Sequence, residues 1–372
     1  MNPITPPRPS RREVLLSTLA AAAWCGASPV LGAGRGLDPL DPDIRFGTTG
    51  SIFATWAGTA PTTLALQMSS NMRMMLLACK AYGLEGFEPY SSQVSDYVGR
   101  PADLKRLLTE TGMTLASVGD LPRSRSAPAP ATTSISVGAA AQYPWLGGAG
   151  RAQLIADMEA CARDFLQPLG VDHWKNNMGG RPEGGPTDDQ LKALADTSNE
   201  IGRRTLAHGV KLALHPHLWG PMEREHEFRR VMELTDPTYV HLILDTGHNV
   251  LGGMDVVKIT DEFLPRITEV HLKDTFPQYR GNKATPTRAQ HLTKSVYASV
   301  GQGGGVDFPG IFRVLRQRKF KGWAVFDIDA PRVDEGTGTI HDNLTASVNY
   351  MRDVLKVRLP RPPKVGPFTE AS

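Results

Sequence analysis

Histidine and aspartate residues follow four successive apolar segments in the second half of the chain. The segments read LALHPH, LILDTGH, VHLKD and VFDID, and they bring His215, Asp245, His271 and Asp327 to corresponding positions. A polar or charged group at the end of a buried strand is costly unless it is paired or bound to a cation. One such residue is most simply a structural residue with a satisfied side chain, but four in succession favour a shared divalent metal ion. Two imidazoles and two carboxylates suit Mn, Co, Fe or Zn better than Ca.

Four further residues could move a proton: His217, His248 and Lys273 in or next to these segments, and Glu88 at the end of the second predicted strand. A catalytic base must come within hydrogen-bond distance of the substrate, directly or through one water. Free imidazole titrates near neutral pH, so His217 and His248 are the stronger candidates. Lys273 could instead pair with Asp274 and orient His271, and Glu88 could accept a substrate hydroxyl or form a salt bridge.

Another set of residues combines polar groups with an aromatic ring, as a sugar site requires. Hydroxyl groups need hydrogen-bond partners, and the apolar face of a sugar ring stacks on an aromatic side chain. The candidate substrate-binding residues are His173, Lys175, Asn176, Trp219, Asp274 and Asp329. Two alternatives remain open at this point: an ordinary loop after the fourth strand, and a place for Trp219 in the core.

Eight short β-rich segments alternate with helical patterns from about residue 43 onward. The predicted strands are Ile44–Thr48, Gly86–Tyr90, Thr114–Val118, Val171–Asn176, Val210–Leu214, Val240–Leu244, Thr268–Leu272 and Trp323–Ile328. Between them lie helical stripes such as Leu344, Val348, Met351 and Leu355. Eight such units predict an α/β fold, a single-domain (β/α)8 TIM barrel, rather than an open doubly wound sheet. No glycine fingerprint for dinucleotide binding follows the first strand.

Two long connections follow the third and seventh predicted strands. Leu121–Gly150 and Thr275–Gly305 would both emerge at the carboxyl end of a barrel, where active sites of such barrels lie. Connections of this length are often lids or binding loops. The glycine run Gly301–Gly305 is most simply a flexible loop.

The four metal-site segments together resemble the signatures of the xylose-isomerase-like sugar isomerase/epimerase superfamily, over about Ile44 to Leu355. The resemblance implies a barrel spanning residues 42–357 and a metal held at the ends of strands five to eight by Glu, Asp, His and Glu. Asp245 and His271 match the family's Asp and His. His215 and Asp327 stand where the family has its two glutamates, which also act as the acid and base of its epimerases. The proton-transfer groups of this chain must therefore be reassigned.

The first 34 residues have the charged, apolar and small-residue layout of an export signal. Arg11 and Arg12 precede the apolar run, which resembles a twin-arginine signal. This predicts contact with the twin-arginine export machinery and a periplasmic location. A disordered basic tail or a monotopic anchor is the alternative. Residues 358–372 form a Pro-rich C-terminal tail that we expect to be extended and poorly ordered.

Composition narrows the class of protein further. A net charge of +3, with 40% hydrophobic and 21% charged residues, is typical of a globular protein and does not predict a nucleic-acid partner. No apolar run is long enough for stable membrane insertion. Cys79 and Cys161 fall on apolar helix positions and are predicted to be buried thiols rather than a disulfide. A homo-oligomer is left open.

The sequence thus predicts a metal-dependent isomerase or epimerase of a non-phosphorylated keto sugar, which removes a proton next to a carbonyl and passes through an enediolate. A lyase or dehydratase of 3-keto-glycosides or keto-cyclitols would use the same enediolate and is the alternative. A non-catalytic periplasmic sugar-binding barrel is a second alternative.

Overall fold

The computed structural model describes residues 43–54, 70–122, 143–330 and 338–367. The predicted export signal lies outside the described residues, as does the greater part of the connection between residues 121 and 150.

Eight short, buried strands form one parallel sheet. Its order is β3-β2-β1-β8-β7-β6-β5-β4, so each strand except the first and last of this order pairs on both sides. The strands are β1 Ile44–Thr49, β2 Gly86–Glu88, β3 Thr114–Leu115, β4 His173–Asn176, β5 Lys211–Leu214, β6 Val240–Asp245, β7 Ile267–Leu272 and β8 Gly322–Phe326. The sheet curls with β8 between β1 and β7, as the TIM-barrel prediction requires, and the fold class is confirmed.

The seam between β3 and β4 is made by a side chain rather than by a strand ladder. Ser117 Oγ donates to the carbonyl of His173 at 3.2 Å and accepts from the backbone N–H of Lys175 at 2.9 Å. The backbone N–H of Asp120 then donates to the Lys175 carbonyl at 3.0 Å. These contacts join the two edge strands and hold the segment after β3 against β4.

Helices separate the strands and carry most of the apolar contact with the sheet. They are α1 Met72–Ala81, α2 Pro101–Thr111, α3 Arg151–Cys161, α4 Gln167–Leu169, α5 Asp188–Leu206, α6 Glu225–Leu234, α7 Thr246–Leu251, α8 Val256–Phe263, α9 Arg288–Thr293, α10 Phe308–Gln317 and α11 Ile340–Asn349. α3 and α11 continue as single π-helical segments, Ala162–Leu166 and Tyr350–Val354. The longest, α5, begins with a capping box between Thr187 and Gln190, which satisfies amide groups that no helical carbonyl can reach.

The structure also bears on several smaller predictions. Among the helices of the described residues, none is both long and apolar enough to cross a membrane. Cys79 is buried and Cys161 partly buried, and both are free thiols. At the start of the predicted C-terminal tail, Leu359 is buried in the main core and Pro360 lies next to Gly83.

Candidate metal centre

The strand register brings the four predicted metal ligands to one end of the sheet. Asp245, the last residue of β6, pairs directly with His271 on β7. His215 follows β5 immediately, and Asp327 follows β8 immediately. The carboxyl ends of parallel strands meet at one rim, so four residues that are far apart in sequence become neighbours.

Each histidine of this group has one ring nitrogen held by the protein and the other aimed at the centre. The Nδ1–H of His215 donates to Asn177 Oδ1 at 2.8 Å, and that amide is fixed by Asp120, which accepts from Asn177 Nδ2 at 3.0 Å. The Nε2–H of His271 lies 3.1 Å from Glu269 Oε1 and 3.2 Å from Glu88 Oε2. His215 Nε2 and His271 Nδ1 are therefore the nitrogens that remain for a cation.

The two aspartates are anchored in the same way. Asp245 caps α7, because its Oδ1 accepts from the backbone N–H of His248 at 2.7 Å. Asp327 Oδ1 accepts from the hydroxyls of Thr49 at 3.0 Å and Ser51 at 2.9 Å. In both residues the second oxygen, Oδ2, faces the histidines.

The remaining atoms converge on one point. His215 Nε2 lies 3.6 Å from Asp245 Oδ2, and His271 Nδ1 lies 3.8 Å from Asp245 Oδ2 and 3.4 Å from Asp327 Oδ2. All four ligand atoms lie within 4.8 Å of one another. Ligands about 2.0–2.2 Å from a zinc ion stand roughly 3 to 4 Å apart, so the geometry fits one ion.

Unsatisfied polar atoms support the same interpretation. His215 Nε2, Asp245 Oδ2 and His271 Nδ1 are buried without a hydrogen-bond partner, which is costly unless a ligand is present. A nearby histidine, His248, has a buried Nε2 in the same condition, 3.9 Å from Asp245 Oδ2. The residues can hold a divalent metal ion.

The pKa shifts of Asp245 and His271 show that the buried acidic groups of the cluster favour positive charge nearby. Burial, and then the charge of Asp327, raise the pKa of Asp245 to about 7. Burial opposes a charged His271, but Glu88, Asp327 and Glu269 outweigh it and raise the pKa of this ring well above its ordinary value. A cation at His271 Nδ1 must displace a proton, so we expect metal binding to release protons.

A group of rings flanks the centre next to His215. The ring centroids of His217 and His248 lie 5.6 and 5.5 Å from that of His215, and 3.7 Å from each other. The Nδ1–H of His217 donates to the carbonyl of Leu218 at 2.6 Å, which leaves Nε2 as the basic nitrogen. Burial lowers the pKa of His217 to about 4, so this ring is neutral at neutral pH.

Trp219 extends this flank. Its ring centroid lies 6.1 Å from that of His217 and 5.6 Å from that of His291, and the backbone is left-handed at φ 62°. A bulky residue in this region is strained and is kept only when its surroundings hold it. Here Glu223 accepts the Trp219 backbone N–H at 2.6 Å, and the indole N–H donates to the carbonyl of Pro286 at 2.9 Å.

Lys273 lies next to Asp327. Its Nζ lies 3.5 Å from Asp327 Oδ2 and 3.0 Å from Asp329 Oδ1, and 4.4 Å from the centroid of the Tyr297 ring. Asp329 Oδ2 in turn lies 3.9 Å from His291 Nε2. Lys273 thus pairs with Asp327 and Asp329, and the alternative in which it pairs with Asp274 to orient His271 is wrong.

Two predicted roles conflict with the positions of the side chains. His173 is buried with both ring nitrogens engaged, Nδ1 by Asp172 at 2.8 Å and Nε2 by Glu269 at 2.7 Å, so it has no group left for a sugar hydroxyl. Glu88 contacts the outer nitrogen of His271 and lies 3.9 Å from Lys175 Nζ, so its carboxylate balances charge instead of facing a substrate.

Asp274 is a third correction. Its carboxylate accepts four backbone N–H groups, from Thr275 and from residues 303, 304 and 306, at 2.8 to 3.1 Å. It pins the loop after β7 and is fully buried, so the predicted contact with substrate does not fit. This contact also orders the glycine run Gly301–Gly305, which is not simply a flexible loop.

Lys175 and Asn176 are both buried on β4. Lys175 lies against Glu88 and the Tyr90 ring, and Asn176 Nδ2 donates to the carbonyl of Trp174 at 3.2 Å. Neither contact tests a role in substrate binding, which stays a prediction.

Several residues that shape the site have no prediction from sequence. They are Thr49, Ser51, Glu269, His291 and Tyr297. Glu269 carried a usable signal, because residues two apart on a strand share a face and Glu269 precedes His271 by two. The others carried no such signal, because Thr49 at the end of β1, His291 on α9 and the loop residues reach the site only through tertiary packing.

The fold and the centre together define a TIM barrel with a candidate cation site at the carboxyl ends of its strands. Residues 76–354 match the xylose isomerase-like TIM barrel family, and the chain belongs to this family.

Among curated relatives, the chain is 29% identical over 149 residues to an inosose dehydratase of Mesomycoplasma hyopneumoniae strain 7448, covering 38% of this chain and 48% of the relative. It thus spans about half the length of the curated relatives that it matches. Two solved structures share the fold. One is a protein called IOLI with a bound zinc atom, at 16% identity and a TM-score of 0.59, covering 84% of this chain and 98% of that chain. The other is 3-keto-D-glucoside 4-epimerase from E. coli, at 15% identity and a TM-score of 0.54, covering 82% and 99%.

Proposed function

We propose that this protein is a divalent-metal-dependent enzyme that enolises a non-phosphorylated keto sugar or keto-cyclitol and then expels a β-leaving group. The observation that carries the proposal is the convergence of buried ligand atoms without partners on His215, Asp245 and His271. The donor set favours Mn, Co, Fe or Zn.

The metal, when bound by His215, Asp245, His271 and Asp327, would act as a Lewis acid toward the substrate carbonyl. The chain's own groups supply the proton transfers. His217 is neutral with a basic Nε2, and His248 has an unpartnered Nε2, so either can remove the proton next to the carbonyl. Lys273, whose Nζ lies 3.5 Å from Asp327 Oδ2, carries a proton that it can donate.

Elimination balances with these groups. The imidazole takes the α-proton and the C–H electron pair forms the enediolate. Collapse of the enediolate breaks the bond from the β-carbon to oxygen, and the leaving oxygen takes a proton from Lys273. The products are an unsaturated ketone and water or an alcohol, and the groups return to their starting states by exchange with solvent.

The contacts of Asp327 favour elimination over epimerisation. Both carboxylate oxygens of Asp327 are engaged, one by Thr49 and Ser51 and one at the centre, so Asp327 cannot act as a free second base. The similarity to inosose dehydratases over 149 residues supports the same outcome.

Isomerisation or epimerisation is the second candidate. It is favoured by the presence of two kinds of proton-carrying group beside the centre, the His217–His248 pair and Lys273, since an epimerase removes one proton and returns another. Both reactions share the metal and the enediolate.

Product mass distinguishes the candidates. Metal-loaded protein is incubated in heavy water with an inosose and with a 3-keto-glucoside, and the products are analysed by mass spectrometry. We expect a product lighter by water or by the alcohol group. A product whose mass changes only by exchanged deuterium would support isomerisation. Binding of the substrate without any exchange would indicate a non-catalytic sugar-binding barrel. A His217→Gln, His248→Gln double variant serves as the control, and its turnover should fall at least a hundredfold.

A further inference from the structure

A line of hydrogen-bonded side chains runs from the candidate metal centre to the surface at the start of β4. Its four members are His271, Glu269, His173 and Asp172. Glu269 Oε1 lies 3.1 Å from His271 Nε2, Glu269 Oε2 lies 2.7 Å from His173 Nε2, and His173 Nδ1 lies 2.8 Å from Asp172 Oδ1. The proposed reaction uses only the first of these residues.

The first three side chains of this line are buried and the last one is exposed. The side chains of His271 and Glu269 are fully buried, that of His173 is 3% exposed, and that of Asp172 is 71% exposed. A buried carboxylate such as Glu269 is tolerated only when it is paired and hydrogen-bonded. His173 supplies that partner, because both of its ring nitrogens face carboxylates and both must therefore donate.

The consequence for His271 is a fixed tautomer. A carboxylate oxygen can only accept, so Glu269, together with Glu88 at 3.2 Å from the same nitrogen, keeps the proton on Nε2 and leaves Nδ1 as the nitrogen that binds a cation. The same contact fixes the ring plane. A carboxylate behind a ligating imidazole also raises the basicity of the nitrogen that binds the metal.

We propose that Asp172, His173 and Glu269 form a positioning chain that fixes His271 for metal binding and strengthens the affinity of the centre for a divalent cation. The proposal rests on the metal centre of the proposed function. None of the three contacts the centre itself, so they are positioning residues rather than catalytic ones.

Metal affinity tests the chain directly. The dissociation constant for Zn²⁺ is measured by competition with a chelator at constant pH for the wild type, Glu269→Gln, His173→Gln and the double variant. We expect each single substitution to weaken binding about ten- to a hundredfold. The double variant should bind no more weakly than Glu269→Gln, because His173 acts only through Glu269. Additive losses in the double variant, or wild-type affinity in Glu269→Gln, would overturn the proposal.

His241→Gln is the matched control. His241 is a partly buried histidine on β6, whose Nδ1 makes no hydrogen bond, and it is not a member of the chain. Its substitution should leave zinc affinity unchanged. If the wild type itself binds no zinc, the metal centre fails along with the chain; if it binds zinc and the variants match it, only the chain fails.

A measurement on the wild type covers the case in which a variant does not fold. In protein labelled with ¹⁵N-histidine, the NMR shifts of His271 report which ring nitrogen carries the proton. We expect Nε2 to carry a proton with and without zinc, and the Nδ1 resonance to shift when zinc is added. An Nε2 without a proton, or zinc bound through Nε2, would contradict the proposal.

Discussion

At the residue scale, each metal-ligand candidate has two polar atoms with different tasks. One atom is bonded to the scaffold, as in the contact of Asp245 Oδ1 with the His248 backbone, and the other is aimed at the centre. The first bond fixes orientation, and the second atom is costly until a ligand satisfies it. The cluster is therefore preorganised for a cation at a cost in stability to the metal-free chain.

His241 provides a residue-scale prediction about pH. Burial first, and then the positive charges of Lys211, Arg266 and His173, lower its pKa to about 4. An unfolded histidine has a pKa of about 6.5, so the unfolded chain binds this proton more tightly. The stability that the neutral ring contributes is fully present above pH 6.5 and is lost as the pH falls toward 4.

Urea unfolding of chelator-treated protein between pH 7 and pH 4.5 measures this effect. In His241→Gln the free energy of unfolding should fall less steeply with decreasing pH than in the wild type. The difference should stay below about 1.4 kcal/mol per pH unit, because one proton is involved and the ring is partly exposed. Parallel curves for the two proteins would show that His241 does not titrate in this way.

Residue identity at the centre could be read from the sequence because the four ligand candidates each follow an apolar strand. The supporting residues could not, with one exception. Glu269 shares a strand face with His271, whereas Asn177 and Ser51 reach the centre through loops after β4 and β1. Periodicity reports the face of an element, and it carries no information on how a loop folds back.

At the element scale, loops from three strands are tied together beside the centre. Glu223 accepts the backbone N–H of Trp219 at 2.6 Å and the hydroxyl of Thr285 at 2.7 Å, and it lies 3.8 Å from Arg181 Nε. These partners belong to the loops after β5, β7 and β4. The buried carboxylate of Glu223 thus holds the loop that carries Trp219 in place.

Removing this carboxylate should loosen the loop after β7. In Glu223→Ala we expect trypsin to cleave after Lys283 or Arg288 at least several times faster than in the wild type, because the tie to Thr285 is lost. Glu233→Ala, an exposed substitution on α6, is the control and should be cleaved at the wild-type rate. Equal cleavage of the Glu223 variant would mean that other contacts hold the loop.

The elements themselves were largely predictable. The bounds of β1, β6 and β7 differ from prediction by one residue, because apolar runs of buried parallel strands are distinct in sequence. β2 and β3 are shorter than predicted, because the regular strands end at Glu88 and Leu115. Beyond these ends, Tyr90 forms only an isolated bridge with Gly119. The long connection after β7 contains α9, whose Thr287–Gln290 capping box is a local signal that could have been found.

At the scale of the whole molecule, the proposed periplasmic location bears on the substrate, because sugar phosphates are cytoplasmic metabolites. We propose that residues 1–34 direct export by the twin-arginine route. Replacing Arg11 and Arg12 together by lysine should leave the full-length precursor in the cytoplasmic fraction, while the unchanged chain appears in the periplasmic fraction. Arg8→Lys is the control and should not affect export. Export of the double variant would contradict this route.

Metal binding should also stabilise the whole domain. A ligand that binds only the folded state adds about 2.7 kcal/mol at a free concentration one hundred times its dissociation constant. The melting temperature therefore reports on binding independently of any reaction.

The most direct test of the account is the metal content and affinity of the purified protein, compared with Asp245→Asn. This variant keeps an oxygen that can cap α7 and loses the anionic ligand. Asp255→Asn is a matched control, because Asp255 caps α8 in the same way without facing the centre. We predict about one equivalent of Mn, Co, Fe or Zn per chain in the wild type and in Asp255→Asn, and at least a hundredfold weaker binding in Asp245→Asn. A wild-type chain that binds no divalent metal, or an Asp245→Asn variant that binds it as tightly, would contradict the account.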